Sequence, residues 1–93
     1  MLDAVKDYLK ITWDDEDAAL LSIIERGKAY LNDLTGAELD FDVAGPPRSL
    51  LLDYCRYVYN NASEYFEENY QQELIRLQLT TAVAAMESDD DEG

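Results

Sequence analysis

Apolar residues recur along this chain at steps of three and four, interrupted by short polar, glycine-bearing and proline-bearing stretches, a pattern that predicts helices joined by loops. Leu2, Val5, Tyr8 and Leu9 share one side of a short first helix ending near Lys10. From about Asp15 to Leu34, the positions Leu20, Ile24, Gly27, Leu31 and Leu34 alternate steps of four and three, with Ile23 and Tyr30 flanking the stripe. A glycine within a helix costs about 1 kcal/mol of propensity relative to alanine. Gly27, on the buried face, is therefore expected to admit a close neighbouring helix. Gly36 is suited to the left-handed cap that ends this second helix.

Residues 37–45, "AELDFDVAG", read as an acidic loop or short turn, and "GPP" then places proline in the first turn of a third helix. That helix is expected from Leu50 to about Asn69, with Leu51, Tyr54, Cys55, Val58, Tyr59, Ala62, Tyr65 and Phe66 on its apolar arc. The last segment, residues 70–86, has two apolar faces if helical: Tyr70, Leu74 and Leu77 on one, Ile75, Leu79 and Met86 on the other. As a strand, Ile75, Leu77, Leu79 and Val83 would alternate with polar residues. Its wealth of helix formers favours a helix to about Thr80. The fold class expected is all-α, a small bundle of about four helices. Residues 1–69 form its core, 70–86 a C-terminal helix or arm, and 87–93 a flexible acidic tail.

Composition narrows the function. A domain of 93 residues buries only roughly two-thirds of the surface of its unfolded chain, so a partner would help it. Seven Lys and Arg against 21 Asp and Glu leave a net charge of -14. Such a surface repels nucleic acid phosphates and anionic membrane. No histidine is present, which removes the usual proton carrier near neutral pH and the commonest metal ligand. The lone Cys55 has no partner for an internal disulfide and fits a reducing compartment. No apolar run approaches the length needed to span a bilayer, and the N-terminus lacks a signal-peptide core.

The densest potential chemistry is "TWDDEDAAL", Thr12 to Leu20. A calcium loop beginning at Asp14 would find Glu16 and Glu25 in place, but Ala18 and Ala19 fall where a ligand and the turn glycine belong. A helix start accounts for the stretch better. Acids in a first turn each interact with the helix dipole by about 0.3–1 kcal/mol. Asp14 can serve as the N-cap with Trp13 stapled near Ala18, or Thr12 and Asp15 can form a competing capping box. Cys55 reads as a buried structural thiol. No serine stands in the Asp-Ser-Leu setting of an acyl carrier protein, and no glycine-rich phosphate loop is found among the four glycines. No catalytic, cofactor-binding or metal-binding residue is assigned. The candidate contact residues are Leu21 and Tyr57, which fall on polar helix sides, and Tyr70, Leu74, Ile75, Leu77 and Leu79 of the two-faced segment.

"VKDYLKITWDDEDAALLSIIERGKAYLNDLTG", followed by "LLLDYCRYVYNNASEYFEENYQQELIRLQL", resembles the head-tail connector, or adaptor, family of tailed bacteriophages. The resemblance runs from about Leu2 to Val83. "YVYNNASEYF" departs from the "WYENR"-like sequence that some members carry in the long helix. The resemblance implies a structural protein, not an enzyme, with no cofactor. It implies a homo-oligomeric ring of about 12 copies under the portal protein, which extends the DNA channel and docks a stopper or tail-completion protein. DNA would pass without specific binding, and no membrane is involved. The location implied is the virion head-tail interface, after assembly in the host bacterial cytoplasm. Carboxylates facing the channel would suit a conduit because they repel phosphate at short range. Two other readings are an acidic DNA-mimic inhibitor of a DNA-binding enzyme and an enzyme of unrecognised type, for which no residue speaks.

Overall fold

The computed structural model describes the backbone of residues 1–92 and the side chains of residues 1–86. Five α-helices follow in order: α1 (Leu2–Leu9), α2 (Asp17–Thr35), α3 (Pro46–Tyr59), α4 (Phe66–Asn69) and α5 (Gln71–Glu92), with a single 3-10 turn at Ser63–Tyr65 leading into α4. No strand occurs among the described residues, so the strand alternative for the last segment is replaced by helix. The helix also outlasts its expected end near Thr80. Of the expected acidic tail, residues 87–92 continue the α5 backbone, while their side chains and Gly93 lie outside the described residues.

The helix ends follow from local backbone bonding. After α1, Lys10 takes a left-handed conformation (φ 60°). Its N–H donates to the Asp7 carbonyl at 3.2 Å, and the Ile11 N–H donates to the Lys6 carbonyl at 2.8 Å, the paired bonds of a Schellman cap. Ile11 is then buried, which holds a lysine in a conformation that glycine adopts more readily. Gly36 ends α2 at φ 71°, as expected, with its N–H on the Asn32 carbonyl.

The third helix differs from its expected span. It begins at Pro46, with prolines in its first turn, and stops at Tyr59 instead of continuing to Asn69. Asn61 adopts φ 58°, its N–H bonds the Val58 carbonyl, and the Ala62 N–H bonds the Tyr57 carbonyl at 2.8 Å. This second Schellman cap uses the tolerance of asparagine for the left-handed region. The turn swings Phe66 back over α3 and throws Tyr65, expected on the inward arc, out to 53% exposure.

The core joins Val5 of α1, Leu20, Ile24 and Leu31 of α2, Leu51 and Cys55 of α3, Phe66, and Leu74 and Leu77 of α5. Ile11 and Phe41 enter it from loops. At its centre α2 and α3 meet over Gly27. A Cβ built there would stand 2.6 Å from Leu51 Cδ1 and 2.7 Å from Tyr54 Cδ1. The ring of Tyr54 stacks on Tyr30 (centroids 5.7 Å apart) and meets Phe66 edge-on at 5.5 Å. Phe66 in turn stacks on Tyr70 at 4.8 Å. Aromatic packing of this kind adds about 0.5–1.5 kcal/mol per pair beyond area burial. It anchors the root of α5 to the pair α2 and α3.

Gly27→Ala is expected to lower stability. Alanine favours an unhindered helix by about 1 kcal/mol, but overpacking a filled core costs about 1–3 kcal/mol, and here both obstructing side chains sit within the core packing. Chemical denaturation should show a lower midpoint with an unchanged slope. A raised midpoint would show that the contact over Gly27 yields freely.

Candidate assembly surfaces

The acid cluster stands at the start of α2, as expected, but no side chain of it caps the helix. α2 starts at Asp17, its N-cap is Glu16, and no side-chain cap bond is made; the expected caps at Asp14 or Thr12 do not form. Lys6 instead reaches across from α1, its Nζ donating to Asp14 Oδ1 at 2.6 Å and Asp17 Oδ1 at 2.8 Å. The hydrogen bonds to Asp14 and Asp17 push the Lys6 pKa up to about 12, and the Lys6 bond holds the Asp14 carboxyl below the usual range. Trp13 does not staple onto Ala18. It stays 46% exposed while its Nε1 donates to Glu16 Oε1 at 2.6 Å, and the Tyr59 hydroxyl donates to the same oxygen at 2.8 Å. Those two bonds, Trp13's first, keep Glu16 ionised to lower pH. The stretch thus latches α1 and α3 to the start of α2. Among the described residues, no group of three or more His, Cys, Asp or Glu is placed to hold a metal ion.

Three further cations are engaged within the chain. Arg56 lies 3.8 Å from Asp53, donates to the Tyr70 hydroxyl at 3.1 Å and faces the rings of Tyr8 and Tyr57. The Tyr8 hydroxyl also donates to Asp53. Arg48 donates to the Phe41 carbonyl at 3.2 Å, fastening the 37–45 loop, and Lys28 lies 3.6 Å from Glu25. Cys55 is fully buried, and burial pushes its thiol up to about 11, which favours the protonated form at neutral pH.

The candidate contact residues separate by face. Tyr70, Leu74 and Leu77 turn inward: Tyr70 stacks on Phe66, and Leu74 and Leu77 are each 5% exposed. Tyr57, expected on the polar side, packs edge-on against Phe66 and Tyr70, because the turn at Asn61 brings those rings over it. Leu21 stands on the outer side of α2 at 47% exposure. Ile75 and Leu79 point away from the bundle, and Val83 and Met86 extend them in steps of four, four and three, all between 47% and 66% exposed. Val83 and Met86 complete a continuous apolar stripe on the outer face of α5. Their spacing carries it in the sequence, once the helix is known to continue past Thr80.

Beside this stripe runs a groove of about 630 Å³. Its walls are the 37–40 loop with Leu39, the start of α3 with Pro46, Pro47 and Leu50, and the flank of α5 with Leu77 and Ala84. The described helices include none long and apolar enough to cross a membrane. Compared with known proteins, residues 1–90 match the family described as Phage gp6-like head-tail connector protein. No curated protein and no solved structure matches the chain.

The Lys6 latch gives a pH signature. The folded-state pKa of Asp14 is lowered, so its contribution is present above the ordinary carboxylate pKa near 4 and is lost as pH falls through the folded value. The folded-state pKa of Lys6 is raised to about 12; its contribution is full below the unfolded value near 10.4 and is lost as pH rises through the folded one. Lys6→Ala should therefore lower the melting temperature between about pH 5 and 10 and converge with the parent in acid. A deficit that stays constant down to pH 2 would assign the role of Lys6 to packing of its alkyl stem.

Proposed function

The chain belongs to the phage gp6-like head-tail connector family, and on that basis we propose that it is an adaptor that assembles as a ring of about a dozen copies beneath the portal. Membership supports a structural role in the virion at the junction of head and tail. On the proposed reading the ring prolongs the DNA channel, and its distal side receives the stopper or tail-completion protein. The observation that carries it is the outer face of α5. Ten consecutive residues, Leu77 to Met86, lack any charge in a chain of net charge -14, and their helix presents an unbroken apolar stripe to solvent. Exposed apolar stripes on small domains mark contact surfaces.

The inner face of the same helix, through Tyr70, Leu74 and Leu77, fixes the arm to its own protomer, while Ile75 and Leu79 meet other proteins, with Leu21 of α2 as a second contact. Tyr57 supports the root of the arm. The remaining surface suits passage of DNA, because carboxylates repel phosphate within the Debye length of about 8 Å at physiological salt. Lys6, Lys28, Arg48 and Arg56 are held by partners in their own chain and offer little grip on phosphate.

Native mass spectrometry of the purified protein, alone and with the portal, tests this reading. A ring of about a dozen copies is expected. Leu79→Asp should remain folded, with stability within about 0.5 kcal/mol as for other exposed sites, yet fail to assemble. Leu77→Asp, by contrast, should unfold the protomer, since it buries an unpaired charge. A monomer or dimer that instead binds a DNA-binding enzyme in a salt-sensitive manner would replace the adaptor reading with the DNA mimic.

A further inference from the structure

We propose that α1 locks the hinge from which α5 springs: Tyr8 holds Asp53, Asp53 holds Arg56, and Arg56 holds Tyr70, the residue between α4 and α5. The direction of the last helix is thereby coupled to the docking of the first. This coupling is a property of the single protomer and does not depend on the ring reading above.

Tyr70 is placed to act as the hinge. It follows the last residue of α4 and precedes the first of α5, and its backbone, at φ -113° and ψ 18°, is not helical. Residues at the ends of elements are the ones that absorb the backbone change when a helix swings. The Tyr70 N–H donates to the Phe66 carbonyl and its own carbonyl accepts from the Leu74 N–H, each at 2.9 Å, so it belongs to both helices. Beyond it, Leu74 and Leu77 enter the core and Gln78 reaches the Leu34 carbonyl. The hydroxyls of Thr80 and Thr81 then bond carbonyls of their own helix, at Arg76 and Leu77. The distal part of α5 therefore takes its direction from its root.

One guanidinium gathers three elements at that root. Arg56 of α3 donates from Nη2 to the Tyr70 hydroxyl at 3.1 Å, and its Cζ lies 5.8 Å from the centre of the Tyr8 ring and 5.5 Å from that of Tyr57. Arginine suits the position because its planar group stacks on aromatic faces while its fork of donors stays available for bonding. Asp53, about one turn earlier on α3, lies 3.8 Å from the same Nη2 and accepts from the Tyr8 hydroxyl. The Asp53 side chain is only 19% exposed, so solvent screens the pair less than it would on an open surface. Tyr57 meets Tyr70 edge-on and accepts from the Asn69 side chain at 3.0 Å, which braces the hinge from the other side. Coupling of this kind is reciprocal: loosening either end of the string loosens the other by the same factor.

Spin labels on Ser22→Cys and Ala82→Cys, exposed positions on α2 and α5, report the direction of the arm as a distance distribution. Cys55 is buried and stays unlabelled, and dilution with unlabelled chain removes signals between copies. The parent should give one narrow distance, and Tyr8→Ala and Arg56→Gln should each broaden or shift it. Tyr59→Phe deletes a hydroxyl that bonds Glu16, outside the string, and should leave the distance narrow. A distribution unchanged in Tyr8→Ala, or broadened as much in Tyr59→Phe, would overturn the proposal. Tyr8→Phe and Tyr70→Phe, milder variants that keep the rings, supply a second readout by hydrogen exchange. The first should speed exchange across residues 71–78 and the second across α1, each by about fivefold, the loss expected for one hydrogen bond. Changes confined to the helix nearest the substitution would also overturn it.

Discussion

The close approach of α2 and α3 over Gly27 governs the rest of the structure. With no side chain there, Leu51 and the ring of Tyr54 lie directly against the α2 backbone. Tyr54 then reaches both Tyr30 and Phe66, and Phe66 reaches Tyr70. Each ring is located by the one before it, so the position of α5, at the far end of the series, depends on a missing methyl group near the middle of α2. Close-packed interiors transmit such constraints because few voids exist to absorb a shift.

That dependence gives α5 two jobs on two faces. Leu74 and Leu77 complete the core, and the Gln78 side chain donates to the Leu34 carbonyl at 3.1 Å near the end of α2. Four residues on the opposite side are left to water. A single small core has one surface to cover, and a helix with two apolar faces exceeds that need. The surplus, together with the acidity of the remaining surface, suits the adaptor proposed above, which would join other proteins while letting DNA pass.

Much of this was legible in the sequence. The four-three alternation gave α2 nearly to its ends, Gly27 announced a close contact, and the two apolar faces of the last segment separated as drawn. The break in the third helix was written in Asn60 and Asn61, but the apolar arc continued past them to Ala62, Tyr65 and Phe66 and concealed it; periodicity does not register one left-handed residue. Ile11 and Phe41 are single apolar residues in polar loops, without a period to mark them. The Lys6 latch spans eight and eleven residues, beyond the reach of capping rules, so the sequence points the cluster at the helix dipole alone and does not show that Asp14 and Asp17 pair with Lys6 or that Glu16 accepts from an indole and a phenol.

Hydroxyl-radical footprinting of the free protomer and of the proposed assembly with a portal protein tests most directly whether the outer face of α5 is the contact surface. In the free protomer Ile75, Leu79, Val83 and Met86 should label readily, along with Val43 and Tyr65, which are comparably exposed. On assembly the four stripe residues should become protected, with Leu74 and Leu77 poorly labelled in both states. A stripe that labels equally before and after assembly would contradict the division of α5 into a folding face and an assembling face.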